Sequence, residues 1–270
     1  MGKETDISWC DSTLNGIMGC RGCELWTSKT KICYAGNLVE RYAGQKGWPE
    51  KFEEPVIFSE RMQKGINWKD LRGVARPDKP WIPAAMPRMI FLNDMGDTFT
   101  EGLPLNWLLP YIEDMEKSPH IWQILTKRLR RAKAFFDLLG YVPDNFWLGT
   151  TITDQRTADA RLPYLVLNQA KTKFVSYEPM LGRVDLSPYL PFISWLILGV
   201  QSGQNKVEMS IADLEYSVGQ CKEAGVKVFV KQDSAPSPGK QGRIPDELWI
   251  HEFPDVEVPA VSQELRLFDE

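Results

Sequence analysis

Ile121-Trp122-Gln123-Ile124-Leu125, an amphipathic stretch over 127–139, and then Phe146-Trp147-Leu148-Gly149-Thr150-Thr151-Ile152: this segment decides the fold. Its two ends are short apolar runs rich in β-branched and aromatic side chains, the composition of buried strands. Strand, helix and strand in succession give two parallel strands joined by a crossover helix. The same unit recurs outward in both directions. Apolar runs fall at 88–92, 121–125, 146–152, 173–176, 195–200 and 226–230, and amphipathic stretches at 105–117, 127–139, 155–168 and 211–224. Leu108, Ile112 and Met115 show the helical spacing. Asp154 and Ser210 read as N-caps, and Gly140 and Gly225 as stops. The strand runs are apolar throughout, as when both faces of a sheet are covered. The expected fold class is α/β: a partial or full (β/α) barrel of parallel strands with outer helices. A flat doubly wound sheet is the alternative.

Each strand run stops in polar residues: Asn93-Asp94-Met95-Gly96-Asp97, Thr126-Lys127-Arg128, Thr150-Thr151, Tyr177-Glu178, Gln201-Ser202 and Lys231-Gln232-Asp233. In parallel α/β folds ligands bind at the carboxyl ends of the strands. The barrel is expected over residues 1–235. Residues 44–87, with several Pro, Gly and Trp and a short helix within 59–71, read as an irregular insertion layered over the barrel mouth. Residues 236–270 read as a loop and a tail packed on the barrel.

Composition narrows the classes. At 270 residues and 43% hydrophobic the chain can bury a large core. It has no run of 18 apolar residues and no apolar leader after Met1, so neither a membrane partner nor export is expected. Reduced thiols in a cytoplasm follow. The net charge of −4 gives no global basic field, so a nucleic-acid partner needs a local patch. The stretch Lys127-Arg128-Leu129-Arg130-Arg131-Ala132-Lys133 offers one; Lys29, Lys31 and Trp26 are possible additions to it. Only His120 and His251 occur, both away from the strand ends, which argues against a histidine-based hydrolase.

Three of the five cysteines share one loop: Gly19-Cys20-Arg21-Gly22-Cys23 and, nine residues on, Cys33-Tyr34-Ala35. Three thiolates without a histidine partner leave a metal or cluster one ligand short, which suits chemistry more than support. Cys10 decides the alternative: if it joins the three, a structural zinc site forms. Cys221, on a helical stretch, reads as an inert core residue.

These cysteines, the preceding Ser8-Trp9-Cys10-Asp11-Ser12-Thr13-Leu14-Asn15, and the later blocks Phe91-Leu92-Asn93-Asp94-Met95-Gly96-Asp97, Gln123-Ile124-Leu125-Thr126-Lys127-Arg128, Trp147-Leu148-Gly149, Phe174-Val175-Ser176-Tyr177-Glu178-Pro179-Met180-Leu181-Gly182 and Lys231-Gln232 resemble, in order, a bacteriophage family of radical-SAM-like proteins with a three-cysteine motif. The resemblance implies a partial (β/α) barrel with a 4Fe–4S cluster on Cys20, Cys23 and Cys33 and S-adenosyl-L-methionine on its open iron. Reductive cleavage then yields a 5′-deoxyadenosyl radical. An electron donor such as flavodoxin or ferredoxin is implied, as is an infected host cell as the setting. The cysteine gaps of two and nine, and the absence of Gly-Gly-Glu after a strand, depart from the common radical-SAM pattern.

Strand-end position assigns Asn93, Asp94, Thr126, Thr150 and Glu178 to the cofactor, and Lys127, Lys231 and Asp233 to substrate contact or a proton relay. Phage relatives suggest a modified base in DNA as substrate, with isomerisation of an amino-acid adduct of thymidine from N-linked to C-linked as one form of the reaction. A free nucleotide, tRNA or peptide is a second reading. A non-catalytic nucleic-acid-binding protein with a zinc-stapled N-terminus is a third.

Overall fold

The computed structural model describes residues 4–200, 207–234 and 239–256. Along the chain run β1 (Ser12–Leu14), β2 (Ile17–Met18), α1 (Tyr34–Tyr42), β3 (Val56–Ile57), α2 (Glu60–Ile66), β4 (Met89–Leu92), α3 (Ile112–Lys117), β5 (Ile121–Leu125), α4 (Leu129–Leu139), β6 (Phe146–Ile152), α5 (Gln155–Val166), β7 (Thr172–Tyr177), β8 (Trp195–Gly199), α6 (Ile211–Ala224) and β9 (Lys227–Gln232). Seven strands form one sheet in the order β1-β4-β5-β6-β7-β8-β9, every neighbouring pair parallel. A doubly wound sheet reverses its strand order at a switch point. Here spatial order follows chain order from edge to edge, so the sheet winds one way, as a curled, open part-barrel. β2 and β3 form a separate antiparallel ribbon.

The faces follow the two-residue period of the strands. Leu92, Ile124, Leu148, Val175, Leu196 and Val228 join the core beneath the helices. Phe91, Trp147, Phe174, Trp195, Ile197 and Phe229 fill the concave side. Gly149 sits among the latter because a Cβ there would stand 2.6 Å from the Phe174 ring.

Local signals act as the sequence suggests. Asp154 caps α5, its carboxylate accepting from Thr157 N at 2.8 Å. Ser210 caps α6, and Gly140 and Gly225 end α4 and α6 in the left-handed region at φ 88° and 70°. The stretch 105–117 is not one α-helix. It begins as a 3₁₀ segment, Leu105–Tyr111, containing Pro110, whose ring nitrogen has no proton to donate, and becomes α3 after it.

The insertion over 44–87 does not lie wholly over the mouth. Phe52 and Trp48 pack beneath the cysteine loop with Met18 and Trp26. Ile82 and Met86 pack at the opposite end, against Trp9, Met89 and Ile121 at the strand starts. Arg76 is fixed there by Asp11 at 2.7 Å, with the two side chains 7% and 5% exposed. Lys79 Nζ donates to the carbonyls of Thr5, Ile7 and Cys10 at 2.6, 2.8 and 2.5 Å. The end that needed a lid was the one exposing aromatic side chains. The described part of the C-terminal stretch covers the outer edge of β9: Val230 N donates to Ile250 O, and Glu252 N to Val228 O. Among the described residues no helix is long and apolar enough to cross a membrane.

Removing one partner of a buried ion pair strands the other charge. Arg76→Ala is therefore expected to lower the unfolding free energy by about 3 kcal/mol, measured by urea denaturation.

Candidate functional site

The carboxyl ends of the strands carry two kinds of polar residue: those that weld the loops and those left facing the mouth. Asn93 is a weld. Its side-chain oxygen accepts from Ile17 N at 2.8 Å and its amide donates to Thr98 Oγ1 at 2.9 Å. Its φ of 64° is a left-handed conformation that asparagine tolerates. Thr126 is another, fully buried, its hydroxyl donating to Asp97 Oδ1 at 2.7 Å and accepting from Arg128 N at 2.9 Å. Asp97 also accepts from Lys127 N and Phe99 N. Both amide ends of Asn93 and the hydroxyl of Thr126 thus hold neighbouring loops, a task that strand-end position does not reveal.

Thr150 does not face the mouth. It alternates with Leu148 and Ile152 on the helix-facing side of β6, and its hydroxyl is buried without a partner. Thr151 is the residue on the concave side. Asp233 serves the loop after β9. Its 2%-exposed carboxylate accepts from Arg243 Nε at 3.0 Å, Arg243 Nη2 at 2.9 Å, and the backbone amides of Arg243 and Ser234 at 2.8 and 2.6 Å. Burial works to raise this carboxyl, but the arginine and the two amides outweigh it and hold it well below the usual carboxylate range. The strand end at Gln201-Ser202 lies outside the described residues.

Glu178 and Lys231 are brought together. They come from the ends of β7 and β9 and pair at 2.6 Å, one-fifth exposed, on the concave side. Asp94 lies after β4 and accepts from Asn15 Nδ2 at 2.7 Å. Burial pushes its carboxyl up, against the pull of that hydrogen bond. Tyr34, the first residue of α1, donates its phenol to the Asp94 carbonyl at 2.5 Å, and the charges of Asp94 and Glu178 act on it. The sequence reading left Tyr34 out of the site, although its place directly after Cys33 marks it.

The cysteine loop caps this basin. Cys33 is the N-cap residue of α1. Cys20 is buried, with Thr100 Oγ1 3.7 Å from its sulfur, whereas Cys23 and Cys33 are half-buried. Burial pushes the Cys20 thiol up to about 11 and raises that of Cys33, on which Lys127 and Cys23 also act. Cys10 is elsewhere. It packs in the aromatic floor with Trp9 and Met89, its thiol toward Ile7 O at 3.9 Å. The four-cysteine zinc site is therefore not assembled. Among the described residues no three Cys, His, Asp or Glu side chains converge on one metal ion. The donor set that remains is three soft thiols from one loop, the ligand type that holds iron–sulfur clusters. Cys221 is a core residue of α6, as expected.

The loop is held to the barrel by charge. Arg161 on α5 grips the Glu24 carboxylate at 2.6 and 3.1 Å and the Thr151 carbonyl at 2.7 Å. Burial works to raise Glu24, but Arg161 outweighs it and holds the carboxyl below its ordinary value. Arg128 donates to the Gly22 carbonyl and to Glu101. Trp26 is buried, giving its Nε1 proton to Glu53 at 2.7 Å. Gly36 lies under its ring, where a Cβ would come within 2.5 Å. Lys31 lies over that ring and pairs with Glu53 at 2.9 Å. Trp26 and Lys31 thus brace the loop and are not additions to a phosphate patch.

Glu24→Gln breaks a charge-assisted pair of a kind worth about 1.5–3 kcal/mol. Amides of residues 20–33 should exchange hydrogen about tenfold faster or more, with β5 to β8 unchanged. For Asp233 the lowered carboxyl pKa stabilises the fold at neutral pH, and this is lost as pH falls through the folded value. The melting temperature of Asp233→Asn should lie below wild type at pH 7, and the gap should close as the pH drops below about 4.

No curated protein and no solved structure matches the chain at a significant level. A family model described as "Protein of unknown function (DUF5131)" matches residues 4–252, from before β1 to beyond β9, and the chain belongs to that family.

Proposed function

We propose that the protein is a radical S-adenosylmethionine enzyme that rearranges a modified base in DNA. The observation that carries this reading is the separation of the cysteines: Cys20, Cys23 and Cys33 stand on one loop over the polar mouth, while Cys10 is turned into the floor. Cys20, Cys23 and Cys33 would hold a 4Fe–4S cluster. When bound, cluster and S-adenosylmethionine supply a reductively generated 5′-deoxyadenosyl radical that removes a hydrogen atom from substrate.

The chain's own residues supply orientation and exclusion. The floor of Trp147, Phe174, Trp195 and Phe229 closes the concave side below the mouth and keeps it dry. Glu178 and Lys231 present a carboxylate and an ammonium side by side, the complement of an amino-acid head group. Asp94, steadied by Asn15, offers a second carboxylate to an ammonium, and Tyr34 stands beside it with a phenol. Lys127 N is fixed by Asp97, which sets its side chain at the rim near Cys33 and Glu24. The reaction in view moves the thymine methylene from the nitrogen to the α-carbon of an attached amino acid. A carbon–nitrogen bond breaks, a carbon–carbon bond forms, and the hydrogen lost from the α-carbon is made good at nitrogen, so substrate and product are isomers.

Protein purified without oxygen should be brown and carry about four irons per chain with matching sulfide. Cys33→Ala should lose both, whereas Cys10→Ser and Cys221→Ala keep them. A colourless protein holding one zinc after anaerobic reconstitution would overturn the reading. Modified DNA left unchanged by iron-loaded protein with reductant and S-adenosylmethionine would overturn the substrate assignment.

A further inference from the structure

The basic stretch after β5 is not a uniform solvated face. With α5 it builds a cleft of about 220 Å³ lined by five cationic side chains, Lys127, Arg128, Arg130, Arg131 and Arg161, and one carboxylate, Glu101. Three of the five already have work within the protein. Arg128 is engaged by Glu101 and the Gly22 carbonyl. Arg131 donates to the carbonyls of Phe99 at 2.8 Å and Leu103 at 3.2 Å. Arg161 is engaged by Glu24. These are positioning residues: all three shape the wall, and Arg128 and Arg161 fasten the cysteine loop to it.

Lys127 and Arg130 differ. Among the described residues neither has a carboxylate partner. Lys127 Nζ makes no hydrogen bond, and Arg130 stacks on the Tyr164 ring at 4.4 Å and donates to its hydroxyl. Lys133, one turn further along α4, is paired with Asp137 at 2.7 Å. Within this basic stretch the cations without a carboxylate partner, Lys127, Arg130 and Arg131, all line the cleft, in a protein whose net charge is −4.

We infer that this cleft binds the phosphodiester backbone of single-stranded nucleic acid, with Lys127 and Arg130 neutralising phosphates and the Arg130–Tyr164 stack offering a flat face to a base. The inference rests on the proposal that the substrate is a base in nucleic acid, and it adds where the strand lies. Cation pairs without acidic partners are what a polyanion needs, and a guanidinium–aromatic stack suits bases of any sequence. Single strands are favoured because the base must leave any stack to enter the mouth. The cleft adjoins the mouth through Arg128 and Arg161, both of which touch the cysteine loop.

The test is fluorescence anisotropy with a labelled single-stranded DNA of about twelve nucleotides, on full-length protein over a salt series. The Lys127→Gln/Arg130→Gln double variant should bind about tenfold more weakly or worse, and its salt slope should fall by about 1.4, the release expected for two phosphates on a single strand. Lys127→Arg/Arg130→Lys should keep the slope, and Lys133→Gln should behave as wild type. Unchanged affinity and slope in the double variant would overturn the cleft, as would a mononucleotide binding as tightly as the oligonucleotide. Iron content and melting temperature are read on the same preparations. A double variant that keeps both while losing DNA supports the cleft. Protein without iron whose DNA binding still depends on Lys127 and Arg130 keeps the cleft and overturns the radical reading alone.

Discussion

Trp195 is the side chain around which the concave side of the curled sheet packs. It lies fully buried at the start of β8, with Trp9, Trp147, Phe174, Phe229 and Phe253 all within 6.2 Å of its ring centroid. These partners come from the N-terminal segment, three other strands and the C-terminal stretch, so one aromatic cluster ties together residues far apart in sequence. Large rings at the strand starts fill the space that the curling sheet encloses. The Glu178–Lys231 pair lies at the other end of the strands, and the mouth lies at their carboxyl ends because the aromatic floor occupies the concave side below it.

The mouth depends on a second constraint, the fixing of an irregular loop by arginine. A chain that turns back on itself between Cys20 and Cys33 leaves carbonyls and carboxylates without secondary-structure partners. Arg128 and Arg161 reach them from α4 and α5. A guanidinium suits this task because it is always charged and presents several donors in one plane. The same helices leave Lys127 and Arg130 without acidic partners on the neighbouring wall. Loop support and ligand attraction are therefore divided among residues that are nearly adjacent in sequence.

Much of the fold was legible in the chain. The βα rhythm, both N-caps and both glycine stops could be read because hydrophobic period and capping chemistry act over a few residues. β1 was not legible. Ser12-Thr13-Leu14 is three residues long and two-thirds polar, and it is a strand because β4 offers it a parallel partner. The candidate site was legible in part. Glu178, Lys231 and Asp94 could be singled out as strand-end residues and the three cysteines by their spacing; the structure pairs Glu178 with Lys231 and sets Asp94 against Asn15. The hydrogen bonds of Asn93, Thr126 and Asp233 were not legible, because a residue that braces a loop and an open ligand look alike in sequence; only the partners Ile17, Thr98, Asp97 and Arg243 show the bracing. Thr150 was misread because a strand apolar on both faces hides which side is concave.

The sequence by itself determined the order of elements from β4 to β9, the parallel sheet they form and the clustering of three thiols on one loop, since each follows from patterns among near neighbours in the chain. Tertiary structure decided that Cys10 belongs to the floor, that residues 44–87 serve both ends of the barrel, and which cations of α4 remain unpaired. Those outcomes turn on burial and on ion pairs between residues 27 to 137 positions apart, and no local pattern encodes them.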